Sequence, residues 1–354
     1  MIIWAYAVVV FVLVVLLTGV VRKLALRHEL MDVPNQRSSH DVPTPRGGGL
    51  AIVAGTAVAW IAAALGGHAP FDAVVVLLSA GIAVAVVGFI DDRAHVAARW
   101  RLLVHLVAAC IVTLWTGGLG HLVLPGYVIE LGWAGAILAL LGIIWMTNLF
   151  NFMDGIDGIA GAEAATVALS AAALLWLSGH PDQAALMAIV GAASLGFLAW
   201  NWPPAKIFMG DIGSSFLGFV LGAMAIITHA NDTLDIWSWL VILGVFVVDA
   251  TMTLIRRVMR GERFYEAHRS HAYQHAARRL GSHKAVTIAV ASINILWLLP
   301  IAVLMVSGRI AGIYGFLVAY TPLLWLAFAN RAGRSNDFSC LLYTSPSPRD
   351  LLSH

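Results

Sequence analysis

Charged residues are scarce in this chain. Asp, Glu, Lys and Arg make up 11% of its 354 residues, whereas 60% of the residues are hydrophobic. Soluble domains carry about 25% charged residues, because a water-facing surface requires them. The composition therefore excludes an ordinary soluble domain and predicts an all-α, polytopic integral membrane protein. A transmembrane β-barrel is not expected, since the apolar segments are continuous and do not alternate with polar residues.

Cysteine is also rare. Cys110 and Cys340 are the only two, so a disulfide framework is not expected. Cys340 belongs to a C-terminal segment, 339–354, in which the apolar pattern stops. This segment resembles translated adaptor sequence, and we expect it to be non-native. Residues 1–330 are expected to form a single membrane-embedded domain, followed by a cytoplasmic tail at 331–338.

Apolar segments long enough to be candidate transmembrane helices occur eleven times, each with the roughly 20 residues that a span requires or slightly fewer. They lie at about 1–21, 48–65, 72–90, 102–116, 133–149, 160–178, 183–200, 214–229, 237–255, 286–306 and 311–329. Basic residues follow the first segment and do not precede it, which indicates an anchor with its N-terminus outside. Every Lys and Arg except Arg309 then faces the cytoplasm. The positive-inside rule thus predicts an N-out, C-in protein with its active site on the cytoplasmic face.

Aspartates occur at the predicted cytoplasmic ends of the helices. Asp91 and Asp92 are adjacent, so they need a divalent metal or a cation from the arginines just downstream, unless they form a solvated helix end; these arginines are Arg93, Arg99 and Arg101. Asp154 and Asp157 follow Asn151 in the segment NLFNFMDGIDGIAG. Their spacing of three would place both carboxylates on one helical face, which suits a polar ligand or Mg²⁺. A simple Asp/Gly turn is the alternative.

A third acidic position lies in the segment PPAKIFMGDIGSS. Asp211 precedes a predicted helix, whose free N–H groups favour phosphate, although helix capping alone would also explain this pattern. Upstream, Asn201 could supply a hydrogen-bond donor, Lys206 a cation and Phe208 a stacking face for a base. Together these residues favour a phosphate-bearing substrate.

Histidines occur in a basic loop that contains the segment HRSHAYQ. His268 and His271 are three residues apart and could bind a metal ion or donate to phosphate. Zinc is disfavoured because no cysteine accompanies them. The surrounding arginines are explained by topology and by contact with anionic lipids. Acids, cations and Gly-rich helix starts on one membrane face favour Mg²⁺-dependent phosphoryl chemistry between a soluble substrate and a membrane-resident acceptor.

These segments resemble, in the same order, the motifs of the polyprenyl-phosphate N-acetylhexosamine-1-phosphate transferases. This superfamily includes the lipid I translocase and the enzymes that initiate O-antigen, enterobacterial common antigen and teichoic acid synthesis. The resemblance covers about residues 1–330 and rests on DVPNQRSSHDVPTPRGGG, GFIDDR, NLFNFMDGIDGIAG, NWPPAKIFMGDIGSSFLGF, VVDATMTLIRR and HRSHAYQ. It implies that a UDP-N-acetylhexosamine and undecaprenyl phosphate react to give undecaprenyl-diphospho-sugar and UMP. Mg²⁺, or Mn²⁺ in its place, is the implied cofactor.

The resemblance also implies roles for individual residues. The predicted catalytic residues are Asp91, Asp92 and Asp211, with one member of the pair acting on the lipid phosphate. Asp211 and Asp154 are the predicted metal ligands. The predicted substrate-binding residues are Asn151, Asp154, Asp157, Asn201, Lys206, Phe208, Arg101, His268 and His271. The implied partners are the two substrates, membrane lipids of the bacterial inner membrane and a second copy of the chain in a homodimer, but no nucleic acid.

Some positions depart from the family pattern. The segment HRSHAYQ replaces the HxHH or triple-histidine motif of other branches, His105 stands where Gln is common, and RSSH replaces a segment that often contains Lys. These features favour the branch that initiates O-antigen in lipopolysaccharide, argue against UDP-MurNAc-pentapeptide as donor, and leave the sugar open. Asp249 matches a further family position and is expected to pair with Arg256 or with a backbone donor.

Other interpretations remain open from the sequence. An intramembrane aspartyl protease also uses two membrane aspartates, but its acids lie within helices. A CDP-alcohol phosphotransferase would have Arg shortly after its first Asp-Gly, where this chain has Ile159-Ala160-Gly161. A transporter would place polar residues near the bilayer midplane. The sequence does not choose between direct displacement and a covalent aspartyl intermediate.

Overall fold

Helices dominate the computed structural model, which describes residues 2–32, 42–94, 96–262 and 269–334. The helices are α1 (Ile2–Arg27), α2 (Gly49–Leu65), α3 (Phe71–Asp91), α4 (Ala98–Thr116), α5 (Gly132–Met153), α6 (Ile159–Leu177), α7 (Pro181–Asn201), α8 (Asp211–Ala230), α9 (Ile236–Ile242), α10 (Gly244–Met259), α11 (Ala272–Leu280), α12 (His283–Ile293), α13 (Leu299–Val306) and α14 (Gly312–Ala329). A π-helix at Asn294–Leu298 joins α12 to α13. The predicted all-α class is therefore confirmed.

Each of the eleven apolar segments forms a helix or a broken helix. Among the described residues, nine helices are long and apolar enough to cross a membrane, and α12 and α13 together count as one of them. The α9–α10 pair, bent by 80°, is the tenth candidate, and α2, with 17 residues, is shorter. The protein is thus a multi-pass membrane protein. The bend between α9 and α10 and the π-helix were not foreseen from the sequence.

Among the described residues, strands form two short antiparallel hairpins. β1 (Met31–Asp32) pairs with β2 (Thr44–Pro45), so the chain passes directly from β2 towards α2. β3 (His121–Leu124) pairs with β4 (Tyr127–Glu130) in the connection between α4 and α5. The β1–β2 hairpin matters for the site, because it brings the residues after β2 to the end of the bundle where α3 ends and α8 begins.

The core is centred on α8, whose membrane-length stretch is buried throughout. Small residues allow its neighbours to approach closely. A Cβ at Gly88 of α3 would lie 2.5 Å from the carbonyl oxygen of Asp211, and one at Gly49 of α2 would lie 2.3 Å from Cα of Gly213. Because real Cβ atoms do not make contacts this short, glycine is required at both positions. These approaches hold the last turn of α3 and the first turn of α2 against the first turn of α8.

Candidate active site

All three predicted catalytic aspartates meet at one end of the bundle. Asp91 and Asp92 end α3, and Asp211 begins α8. Two arginines join them. Arg46 places Nε 2.8 Å from Oδ1 of Asp92 and Nη2 2.9 Å from Oδ1 of Asp211. Arg101 pairs with Asp91 and places Nη1 3.3 Å from Oδ2 of Asp211. Carboxylates and guanidinium groups therefore alternate, which offsets the repulsion between the acids.

Asp92 fixes the start of α8. Its Oδ1 accepts a hydrogen bond from the Asp211 N–H at 2.8 Å, and its Oδ2 accepts one from the Ile212 N–H at 3.2 Å. These N–H groups have no partner within their own helix, so a carboxylate from α3 caps α8. The side chain of Asp92 is 6% exposed, against 18% for Asp211. The free helix N-terminus predicted to bind phosphate is thus occupied in part by Asp92.

A cavity of about 180 Å³ opens beside this cluster. Six predicted site residues line it, namely Asn151, Asp154, Asp157, Asn201, Phe208 and Asp211. They come from the last turn of α5 and the connection after it, from the last residue of α7 and the connection after it, and from the first turn of α8. The structure therefore brings together segments that are about 60 residues apart in the sequence.

Asp154 is the acid of this cavity that has no partner among the described residues. It follows the last residue of α5, and its carboxyl takes part in no hydrogen bond or ion pair with the described residues. Burial, together with the nearby charge of Asp211, raises the pKa of Asp154 to about 7 although Arg46 opposes the shift. A half-buried carboxyl that forms no ion pair with the described residues is suited to receive a cation.

The oxygen donors fit a magnesium ion in part. Among the described residues, no group of three or more His, Cys, Asp and Glu side chains is arranged to hold a metal ion alone. Mg²⁺ is often bound by one or two carboxylates, completed by substrate phosphates and water. Asp154 and Asp211, which line the same cavity, can provide such a pair. The residues present therefore fit Mg²⁺ that arrives with a phosphate-bearing substrate.

Asp157 and Asn201 hold the cavity walls together. Asp157 accepts a hydrogen bond from the Ala205 N–H at 3.1 Å, and its carbonyl accepts one from Thr287 Oγ1 at 2.9 Å. Asn201 accepts from the Gly158 N–H at 3.0 Å and donates to the Ile207 carbonyl at 2.9 Å. Both residues thus tie the α5–α6 connection to neighbouring loops while they line the cavity.

Lys206 and His271 lie away from the cavity. Lys206 is exposed, and its ammonium group lies 5.7 Å from the ring centroid of Trp200. His271 is buried at the start of α11, where Nδ1 is 3.3 Å from Oδ1 of Asp249. Arg101 reaches the site through its ion pairs and does not line the cavity wall. His268 lies outside the described residues.

Asp249 organises the histidine segment from within α10. It accepts hydrogen bonds from the N–H groups of Ala272 at 2.8 Å and Tyr273 at 2.9 Å, so it caps α11 from another helix. The expected backbone partner is confirmed, whereas Arg256 instead donates to the carbonyl of Ala332. Tyr273 in turn donates its hydroxyl to the carbonyl of Phe152 at 3.1 Å. These contacts connect α10, through the first residues of α11, to the end of α5, two residues before Asp154.

Three residues of the site were missed by the sequence reasoning. Arg46 lies in the quoted segment PTPRGGG, but a cation was sought only downstream of the aspartate pair. Gln274 of HRSHAYQ lines the cavity. His283 also lines it, and its Nδ1 accepts a long hydrogen bond of 3.4 Å from the Asp157 N–H. No motif marks His283, so only the fold reveals it.

Comparisons with known proteins identify the family of the chain. Residues 74–229 match the family described as Glycosyl transferase family 4. The chain is 31% identical over 297 residues to a probable undecaprenyl-phosphate N-acetylglucosaminyl 1-phosphate transferase of Bacillus subtilis (strain 168), covering 82% of each chain. It is 32% identical over 230 residues to a phospho-N-acetylmuramoyl-pentapeptide-transferase of Geobacillus kaustophilus, covering 60% of this chain and 68% of the relative.

A third relative has a different lipid in its name. The chain is 28% identical over 308 residues to a decaprenyl-phosphate N-acetylglucosaminephosphotransferase of Mycobacterium leprae, covering 77% of this chain and 76% of the relative. The matches and the helical membrane fold confirm the resemblance found in the motifs. The chain therefore belongs to glycosyl transferase family 4, the polyprenyl-phosphate hexosamine-1-phosphate transferases, and is a multi-pass bacterial membrane phosphoglycosyltransferase.

Proposed function

We propose that this protein transfers an N-acetylhexosamine-1-phosphate from a UDP-sugar to undecaprenyl phosphate and releases UMP. We further propose that the reaction takes place on the cytoplasmic face and initiates an O-antigen or a related cell-envelope polysaccharide. The observation that carries the proposal is the convergence of Asp91, Asp92 and Asp211 with two arginines beside a cavity lined by Asp154. Relatives named for this transfer from two genera support it.

The cavity suits the phosphate-proximal part of the donor. Phe208 offers an aromatic face, and Asn151 offers an amide that donates weakly to Ser214 at 3.4 Å and can turn to a ligand. Asp154 and Asp211 would hold Mg²⁺, which would supply positive charge to offset the diphosphate and stabilise the UMP leaving group. The two carboxylates would otherwise repel the donor, so we expect donor binding to be weak without a divalent cation.

Direct displacement is the mechanism we propose. An oxygen of the lipid phosphate attacks the sugar-bearing phosphorus, and the bond from that phosphorus to the bridging oxygen breaks, with the electron pair leaving on UMP. A phosphate monoester loses its second proton near pH 6, so much of the acceptor is already a dianion at neutral pH. Asp92 holds Arg46 and two N–H groups of α8 through its two oxygens. A covalent bond to Asp92 would disrupt these contacts, which favours a single transfer step.

A transfer assay with purified protein tests the proposal. We expect UMP release that requires both polyprenyl phosphate and a divalent cation, and mass spectrometry should detect the lipid diphosphosugar. A panel of UDP-N-acetylhexosamines would identify the sugar. The proposal is wrong if no UDP-sugar yields UMP in a lipid-dependent manner, and a transporter or a protease would give that result. Assembly as a homodimer stays a prediction, to be measured as particle mass in lipid nanodiscs.

A further inference from the structure

Arg46 lies between two cavities. A second cavity, of about 450 Å³, opens between the ends of α1 and α3 and is lined by Asp92 and by apolar side chains such as Leu24 and Phe89. Arg46 is the residue of the described chain that lines both this cavity and the one that contains Asp154. Its guanidinium group lies between Asp92, which lines the larger cavity, and Asp211, which lines the smaller one.

The backbone of this arginine is fixed against the segment that leads to Asp211. The Phe208 N–H donates to the carbonyl of Pro45 at 2.8 Å, and the Gly48 N–H donates to the carbonyl of Phe208 at 2.9 Å. A further bond of 2.9 Å joins the Gly49 N–H to the carbonyl of Met209. The backbone of Arg46 is consequently held next to that of Asp211. Its side chain is restrained at the backbone by these hydrogen bonds and at the guanidinium group by the two ion pairs.

Part of the guanidinium group is available to a ligand. Nε faces Asp92 and one Nη2 hydrogen faces Asp211, whereas Nη1 forms no hydrogen bond with the described residues. The side chain is 35% exposed. Planar guanidinium groups bind phosphate oxygens through paired N–H donors, and positions fixed in advance cost little to reorganise. An arginine so placed can contact a phosphate without releasing either carboxylate.

We propose that Arg46 is a catalytic residue that binds an oxygen of the phosphoryl group in transfer. This inference rests on the proposed function and adds a residue and a role to it. The guanidinium group keeps its proton throughout and supplies positive charge where the incoming and leaving phosphates meet. The contact strengthens as charge builds up on the transferred group, so Arg46 should affect turnover more than substrate binding.

Kinetics of Arg46→Lys and Arg46→Met would test the role. Lysine keeps the charge but cannot bridge two carboxylates and a phosphate at once, because its ammonium group is a compact point charge. We expect kcat to fall by about 10²-fold in Arg46→Lys and about 10³-fold in Arg46→Met, the range found when one preorganised donor is removed. The KM values for both substrates should change by less than about threefold.

Arg260→Met provides the matched control. Arg260 has a similar exposure of 36% and also forms a two-point ion pair, through Nε and Nη2 to Glu262, but it lines neither cavity. We expect its kcat to equal that of the unmodified protein. Thermal unfolding of all variants in detergent separates loss of turnover from loss of fold, and Arg46→Lys decides if Arg46→Met does not fold.

Three results would overturn the inference. One is an unchanged kcat in Arg46→Lys, and another is a loss that appears only in the KM of the donor or the acceptor. The third is a loss of turnover that Arg260→Met shows equally. If the unmodified protein releases no UMP from any UDP-sugar, the proposed function itself is refuted. The two failures are therefore distinguishable in one set of assays.

Discussion

A side chain at Gly155 would collide with Tyr273. A Cβ built at Gly155 lies 2.1 Å from the Tyr273 hydroxyl oxygen and 3.1 Å from Nε2 of Gln274. The φ of Gly155 lies outside the left-handed region, so steric contact is the only barrier to substitution. The hydroxyl cannot move away freely, since it donates to the carbonyl of Phe152 at 3.1 Å. Gly155→Ala should therefore displace the loop next to Asp154.

The size of the displacement follows from the contact distances. Ordinary van der Waals contact begins at 3.4 Å, and the Cβ would start at 2.1 Å, so the two atoms must separate by about 1.3 Å. Overpacking of this kind costs about 1–3 kcal/mol of stability. A misplacement of about 1 Å near reacting groups can reduce turnover by about 10²-fold. We expect Gly155→Ala to lose about 10²-fold in kcat and to unfold at a lower temperature.

A second substitution should relieve the collision. In Tyr273→Phe the hydroxyl is gone, and the nearest ring atom, Cζ, lies 3.2 Å from the added Cβ. Tyr273→Phe alone should cost about 1 kcal/mol, the value of one hydrogen bond. The double variant should then recover most of the kcat that Gly155→Ala loses. Lipid-dependent UMP release and thermal unfolding of the four proteins form a double-mutant cycle.

The matched control is Gly142→Ala in α5, where a Cβ meets nothing within 4 Å. This variant should keep full activity. The steric argument is refuted if Gly155→Ala also keeps full activity, or if the double variant is no more active than Gly155→Ala.

Three further substitutions test the contacts that position the site residues. Asp211→Asn should reduce kcat by at least about 10²–10³-fold in the UMP assay at nearly unchanged unfolding temperature, because the charge opposite both arginines is lost while the size is kept. Gly88→Ala should lower both the unfolding temperature and kcat, since a Cβ would lie 2.5 Å from the Asp211 carbonyl; an unfolding temperature equal to that of Gly142→Ala would contradict this. Asp249→Asn should lower the free energy of unfolding by about 1–3 kcal/mol, because the N–H group of Ala272 or of Tyr273 loses its acceptor. Full stability in a denaturant titration would disprove the capping role.

Sequence patterns predicted the helices because membrane spans depend on local composition. Each apolar segment became a helix, since continuous apolar residues and internally satisfied backbone groups leave few alternatives in lipid. The 80° bend between α9 and α10 was not predictable, because the bend at Leu243 lies within a continuous apolar stretch. The buried contact between Asn294 in the π-helix and Glu163 in α6, at 2.7 Å, likewise depends on how distant helices pack.

For the candidate site, the sequence predicted which residue types take part but not which distant residues pair with one another. Aspartates at the ends of apolar segments pointed to one acidic cluster, and Asp91, Asp92 and Asp211 do lie together. The sequence predicted that arginines just downstream of the pair would balance their charge, and Arg101 does pair with Asp91. Arg46 lies 165 residues before Asp211, so only the packing of the β1–β2 hairpin against the α7–α8 connection reveals the second guanidinium group.

The balance of charge in this cluster bears on how the site binds phosphates. Asp91, Asp92, Asp154 and Asp211 contribute up to four negative charges, and Arg46 and Arg101 offset two of them. A diphosphate entering such a site meets net negative charge, so its binding requires added positive charge. Asp154, whose pKa is raised to about 7 by burial and by the nearby Asp211, is the acid of this cluster that forms no ion pair with the described residues. The two arginines therefore pair with Asp91, Asp92 and Asp211, and we propose that a divalent cation bound by Asp154 together with Asp211 would supply the missing positive charge.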